Sequence, residues 1–334
     1  MHYRSLGRTG VKVSPLCLGC LNFGGKADAG TSYRIIDHAI DAGINFLDTA
    51  NVYSRGKSEE VTGEALKRNG KRDKIVLATK VHGRMDDHDP NAIGSSRRHI
   101  IAQCEMSLRR LQIDYIDLYQ IHRPQPDIPI DETLRALDDL IRSGKVRYVG
   151  SSTFAAWQLM ESLMVSRELG LNRFVCEQPP YNLLDRRIER ELLPLARTYG
   201  FAIVPWSPLG GGLLTGRYTR EVRRPADAKR YFAEDTYLDS ILTEGFFERI
   251  GPFCDLAKAK GCTPSQLATA WCLHQPGVTS PIIGPRSLGH LEDQLQTLKI
   301  TLTAEDHTTL DNLFPPGGMI SPFYEANFGP NPYR

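Results

Sequence analysis

Long apolar runs are missing from this chain. No stretch approaches the ~20 consecutive apolar residues that a bilayer-spanning helix needs. The opening MHYRSLGRTG has no apolar segment of the signal-peptide kind. Blocks of like charge are missing as well. Lys and Arg number 41 against 39 Asp and Glu, a formal net charge of +2, so a nucleic acid or other polyanion is not expected as a partner. No Pro-, Gly- or Ser-rich linker divides the chain before the tail that follows Phe314, and no Asn-x-Ser/Thr acceptor occurs. No G-x-G-x-x-G follows a strand-like run, which weakens an open doubly wound dinucleotide fold. Gly56-Lys57-Ser58 looks like the end of a phosphate loop, but Asn51 stands where its first glycine belongs. The seven cysteines are an odd, irregularly spaced set with one C-x-x-C, Cys17 to Cys20. Zinc usually takes two such pairs, so no metal is expected and the cysteines read as reduced thiols. His82 and His88, among Asp86, Asp87 and Asp89, read as a solvated loop. These absences together point to a cytosolic (cytoplasmic) protein without membrane contact.

What is present is ordinary globular material, 334 residues with 41% hydrophobic and 24% charged. Short β-prone runs alternate with longer helical patterns. The strand candidates are Leu16–Leu18, Asn45–Leu47, Ile75–Thr79, Tyr115–Ile121, Val146–Gly150, Phe174–Gln178, Ala202–Pro205 and Thr279–Ile283. Helical patterns run from Ser32 to Gly43, from Lys57 with acids in its first turn, over Ala92–Leu111, and over Asp131–Arg142, closed by Gly144. Others cover Ala155–Leu169, Ile188–Tyr199, Phe246–Lys260, Pro264–His274 and Leu288–Leu298. Eight β-then-α units predict an α/β fold, a single (β/α)₈ TIM barrel over residues 1–334 with long loops at its C-terminal face. Residues 1–13, around Arg8-Thr9-Gly10, predict a β-hairpin over the barrel floor.

A barrel of this kind places its functional groups just after the strands. Asp48 ends the second strand run, Lys80 the third and His122 the fourth, with Tyr53 one short loop beyond Asp48. Such a set suits proton donation to a carbonyl. A phenol with a pKa of about 10 is a poor acid near neutrality. An adjacent ammonium favours the phenolate, and a carboxylate keeps that ammonium charged and oriented. The imidazole can hold the substrate oxygen beside the phenol.

Asp48, Tyr53, Lys80 and His122, in these contexts, resemble the catalytic tetrad of the aldo-keto reductase superfamily. The likeness continues through Val149-Gly150-Ser151-Ser152-Thr153-Phe154, Gln178-Pro179-Pro180-Tyr181-Asn182 and Pro205-Trp206-Ser207-Pro208-Leu209-Gly210 to Ile282-Ile283-Gly284-Pro285-Arg286-Ser287. Trp206-Ser207-Pro208-Leu209 is similar to the branch holding bacterial carbonyl reductases and potassium-channel β subunits. The resemblance implies NADPH/NADP⁺ across the barrel mouth and a small-molecule aldehyde or ketone as substrate. It implies that Ser152 and Gln178 hold the carboxamide and that Trp206 stacks on the nicotinamide. Ser207, Pro208, Leu209, Gly210 and Arg217 would then line the pyrophosphate, with Gly284 and Arg286 at the 2′-phosphate. His290, Asp293 and Gln294 would lie by the adenine, and Cys20, Leu21 and Asp48 complete the contact set. Thr153 stands where the family commonly has Asn, and His290 and Gln294 stand where it has Gln and Asn. A second reading is an NADP(H)-binding, redox-sensing regulatory subunit with little turnover. The 314–334 tail, with five prolines and five aromatics, is expected to flap over the mouth, and Gly210–Asp239 to close over the cofactor.

Overall fold

A computed structural model describes residues 1–225 and 239–320. The chain opens with an antiparallel hairpin, β1 (Arg4–Ser5) and β2 (Lys12–Val13), in which Arg4 faces Val13. Eight parallel strands follow: β3 (Cys17–Gly19), β4 (Phe46–Asp48), β5 (Val76–Val81), β6 (Ile116–Ile121), β7 (Val146–Ser152), β8 (Cys176–Gln178), β9 (Ala202–Ile203) and β10 (Ile282–Ile283). Each pairs with its sequence neighbour, and β10 pairs with β3. The ring closes where the Thr279 N–H donates to the Ile203 carbonyl at 2.7 Å and the Ile282 N–H to the Pro205 carbonyl at 2.8 Å. This is the (β/α)₈ barrel that the alternating pattern predicts.

Helices α1 (Ala29–Asp41), α2 (Lys57–Asn69), α3 (Arg97–Leu111), α4 (Ile130–Arg142), α5 (Ala156–Glu168), α6 (Leu192–Tyr199), α7 (Glu244–Ala259), α8 (Pro264–His274), α9 (Leu288–Gln296) and α10 (Ala304–Leu313) surround it. Their starts carry the expected chemistry: Asp28 accepts the Thr31 N–H at 2.8 Å, and Thr263 with Gln266 forms a capping box ahead of Pro264. Two expectations need correction. The third helix begins at Arg97 rather than Ala92, because Gly94 holds φ 95° and Ser96 caps the His99 N–H. The run from Ile188 breaks into a short 3₁₀ turn, Arg187–Glu189, before α6. Helix α10, with its Thr303–Asp306 capping box, has no counterpart in the sequence reading.

Side chains alternate along each strand. On β6, Tyr119 and Ile121 point out towards the helices, and the Tyr119 hydroxyl donates to the Ile100 carbonyl of α3 at 3.2 Å. Leu118 faces the axis, where it joins Cys17, Phe46, Ala78, Cys176, Ala202 and Val204 in an apolar layer. Leu6 and Val13 of the hairpin cap that layer from below, as the sequence predicts. Two residues further along these strands the axis turns polar.

The described part of the tail runs along the loop after β8. Arg186 donates to the Phe314 carbonyl at 2.6 Å, and the Ile320 N–H to the Leu184 carbonyl at 2.8 Å. The flap expected beyond it and residues 226–238 of the 210–239 closing segment lie outside the described residues.

Candidate active site

The polar layer is built by strand register. Gly19 pairs with Asp48, Lys80 with Gln120, and Ser152 with Gln178, so successive strands deliver polar side chains to one level. Lys80 is fully buried and donates to Asp48 Oδ1 at 2.6 Å, to the Thr49 carbonyl at 2.8 Å and to the Tyr53 hydroxyl at 3.2 Å. The same ammonium lies 4.9 Å from the Tyr53 ring centroid. Asp48 Oδ2 accepts from Gln178 Nε2 at 2.9 Å and from Gln120 Nε2 at 3.1 Å. The carboxylate is thus held by three donors in a buried site. The His122 ring stands edge-on to Tyr53 with centroids 5.7 Å apart. Tyr53 opens a tight turn whose next residues, Ser54 and Arg55, hold φ of 48° and 53°. The structure therefore brings Asp48, Tyr53, Lys80 and His122 together.

The electrostatics follow from burial. Burial alone would discharge Lys80, but Asp48 and the Tyr53 hydroxyl outweigh it and raise its pKa above the ordinary value. Burial pushes the Tyr53 phenol up as well, and the Lys80 charge opposes that rise without reversing it. A net depression of the phenol is therefore not what this environment produces. His122 is held well below its usual range by burial, then by the charges of Lys80 and Arg123, so its imidazole is neutral. His82 is lowered to about 4 by the same two kinds of cause, with Arg123 and His99 as the charges.

Around this centre the remaining predicted residues fall into three groups. Ser152, Gln178 and Trp206 face the mouth from β7, β8 and the end of β9, with Ser152 Oγ donating to the Gln178 carbonyl at 2.9 Å and the Trp206 N–H to the Pro179 carbonyl at 2.9 Å. Ser207 takes a left-handed φ of 55°, and Gly210, Gly211 and Gly212 follow at 56°, 67° and 106°. Arg217 Nη2 lies 3.6 Å from where a Gly212 β-carbon would stand. That side-chain-free backbone under a guanidinium fits an anionic pyrophosphate. Pro208 is buried and Leu209 half-buried in the same stretch, and Leu21 is exposed.

Gly284 and Arg286 follow β10, and the Gly284 carbonyl accepts from Asn22 Nδ2 at 3.0 Å. Lys26, unanticipated from sequence, lies near enough that the Arg286 charge joins burial in lowering its pKa. Ser287 caps α9 through the His290 N–H at 3.2 Å. Asp293 and Gln294 turn towards α8, accepting from Gln266 Nε2 at 2.7 Å and Thr269 Oγ1 at 2.7 Å.

Cys20 follows β3 directly. Its side chain is buried among Leu16, Leu18 and Phe23, its N–H is given to the Asp48 carbonyl at 2.8 Å, and its own carbonyl accepts from Ser58 at 2.7 Å. Apolar packing claims the thiol, whose pKa burial pushes up to about 12.

Gln120 and the Thr49 carbonyl were not anticipated. Gln120 carried a usable signal, a lone amide two residues before His122 inside an apolar strand, hence on the same face. Among the described residues no helix is long and apolar enough to cross a membrane, and no cluster of three or more His, Cys, Asp or Glu could hold a metal.

A family model described as "Aldo/keto reductase family" matches residues 15–314. The chain is 42% identical over 333 residues to "Uncharacterized oxidoreductase YrpG" of Bacillus subtilis, covering 97% of this chain and 99% of the relative. It is 36% identical over 306 residues to the "Probable voltage-gated potassium channel subunit beta" of Oryza sativa subsp. japonica, covering 90% and 92%. It is 33% identical over 348 residues to the "Versiconal hemiacetal acetate reductase" of Aspergillus parasiticus, covering 95% and 98%.

Proposed function

Since this chain belongs to the aldo/keto reductase family of oxidoreductases, we propose that it is an NADPH-dependent reductase of aldehydes or ketones, working on small molecules in the cytoplasm. One observation carries this reading: the Tyr53 hydroxyl stands 3.2 Å from a buried ammonium that is itself bound to Asp48 at 2.6 Å.

The chemistry that NADPH supplies when bound is a hydride for the carbonyl carbon. The proton comes from this chain. Tyr53 donates it to the carbonyl oxygen, so hydride and proton together make the alcohol. Lys80 stabilises the phenolate that is left, and Asp48 keeps Lys80 charged through the transfer. Gln120 and Gln178 fix Asp48 by binding its second oxygen. A neutral His122 can donate one N–H to the carbonyl oxygen without competing for the proton. For the cofactor, Trp206, Ser152 and Gln178 would take the nicotinamide end. The Ser207–Gly210 stretch and Arg217 would take the pyrophosphate, and Arg286 with Lys26 beside it the 2′-phosphate.

The test is steady-state NADPH oxidation across a panel of aldehydes, ketones and sugars. Turnover on at least one carbonyl class supports the reading. Tight NADPH binding with scarcely any turnover on all of them supports the regulatory-subunit alternative, to which the potassium-channel relatives lend weight. Arg286→Ala tests the cofactor choice: NADPH binding should weaken by ~1.5–3 kcal/mol, the range for charged hydrogen bonds, with NADH nearly unaffected.

A further inference from the structure

Strands β8 and β9 are short, and the loops above them carry their pairing on past the strand ends. The Trp206 N–H donates to the Pro179 carbonyl at 2.9 Å and the Tyr181 N–H to the Trp206 carbonyl at 3.3 Å. Pro180 and Trp206 thereby form a parallel bridge. At Ser207 the backbone turns left-handed, with φ 55°, and leaves that ladder. Asn182 continues it by other means. Its Nδ2 donates to the Ser207 carbonyl, the next after that of Trp206, at 3.1 Å. A side-chain amide thus takes the place of a backbone N–H.

Asn182 is built to hold its partner rather than follow it. It is fully buried, and its Oδ1 accepts the Leu184 N–H at 2.9 Å and the Asp185 N–H at 3.2 Å. With the oxygen committed to its own loop, the amide nitrogen faces Ser207. The chain's C-terminal stretch braces the same loop from outside. The Arg186 N–H donates to the Gly318 carbonyl at 2.8 Å, and the Ile320 N–H to the Leu184 carbonyl at 2.8 Å. Gly210 closes against it from the other side: a β-carbon there would stand 3.1 Å from Leu184 Cδ1 and 3.6 Å from Asn182 Oδ1. A left-handed φ is costly for a residue with a β-carbon and persists only where its surroundings over-determine it. The Ser207 carbonyl has two such restraints, the Gly210 N–H at 2.9 Å and the Asn182 amide.

We infer that Asn182 is a positioning residue for the cofactor, pinning the Ser207–Gly210 stretch in the left-handed form that receives the pyrophosphate. This rests on the NADPH reading above. Asn182 acts through the backbone of Ser207 and Gly210, not on the reacting atoms.

Asn182→Asp tests it, because the shape and the acceptor oxygen survive while the donor to Ser207 is lost. In calorimetric titration NADPH should bind about tenfold more weakly, the scale of one buried hydrogen bond left unmade. Adenosine 2′-monophosphate, which has the 2′-phosphate but no pyrophosphate, should bind as it does to the wild type. Asn182→Ala, which brings no charge, should weaken NADPH at least as far. Ser207→Gly supplies a rescue, since glycine enters the left-handed region without steric cost. Added to Asn182→Asp, it should restore part of the NADPH affinity, which it would not do for a barrel that had merely loosened. Unchanged NADPH affinity in Asn182→Asp, an equal loss for both ligands, or no restoration by Ser207→Gly overturns the inference. The reductase reading then still stands on wild-type turnover. A wild type that neither binds NADPH nor reduces a carbonyl takes down that reading, and the inference with it.

Discussion

Tyr53 is subject to two opposed influences, and their balance decides its chemistry. Burial raises the phenol above its ordinary 10, and the Lys80 charge pulls it back without prevailing. The proton-donating form is therefore the one present at neutrality. Tyr53→Phe should lower kcat by ~10²–10⁴, the range for general acid catalysis, with NADPH affinity retained. Lys80→Met should act through the same hydroxyl, so the double variant should be little worse than Tyr53→Phe alone. The basic limb of kcat/KM should lie above pH 10 in the wild type and move further up in Lys80→Met, since the opposing charge is gone; a downward move would contradict this. Glu177 makes a second residue-scale prediction. Its carboxyl keeps a proton in the native state up to about pH 8, whereas the unfolded chain releases it near the ordinary 4.5. The native state then binds the extra proton, so this stability is full below the unfolded value and is lost as pH rises towards 8. Glu177→Gln should remove that fall, flattening the denaturation free energy between the two pH values by on the order of 1–4 kcal/mol. Urea unfolding at both ends of the window measures it.

At the scale of elements, the hairpin shows how a short segment is fastened to the barrel. Gly7 holds φ 57°, and a β-carbon there would stand 2.7 Å from the Gly200 and Val175 carbonyl oxygens and 2.8 Å from the Ala202 nitrogen. All three are backbone atoms that cannot swing aside. Gly7→Ala should therefore cost about 2–4 kcal/mol, adding overpacking to the left-handed strain. Because the floor is remote from Tyr53, kcat per folded molecule should hardly change, and denaturant melting paired with kinetics checks both halves. Element positions were legible where the signal is local. Short β-prone runs and capping side chains located all eight barrel strands and most helices. The start of α3 was not, since Ala92 and Ile93 continue its apolar period while the backbone at Gly94 has already left the helix.

The whole molecule buries its thiols as thoroughly as its catalytic charges. Cys17, Cys20, Cys104, Cys176 and Cys272 are buried, and only Cys254 and Cys262 are half-buried. Burial raises the pKa of every one of them, so thiolate is scarce. Titration with a disulfide reagent under native conditions should find no more than two slowly reacting thiols, against seven after denaturation. Rapid reaction of more than two would show that the barrel opens readily. The same enclosure makes the site possible, because an aspartate and a lysine paired at 2.6 Å retain their charges without water only when amides from two further strands complete the carboxylate.

The amino-acid sequence by itself determined the architecture and the members of the candidate tetrad. Strand alternation, helix capping and the position of a residue at a strand end are properties of neighbouring residues, and a barrel sends every strand end to one rim. Tertiary structure alone decided how those members behave. Gln178 reaches Asp48 across 130 positions of sequence, and Arg123 meets Thr153 and Trp206 from a third strand. The rise of the Tyr53 phenol, the neutrality of His122 and the raised pKa of the Cys20 thiol all come from burial. Burial is the sum of what distant segments place around a group, and no window of sequence around that group contains it.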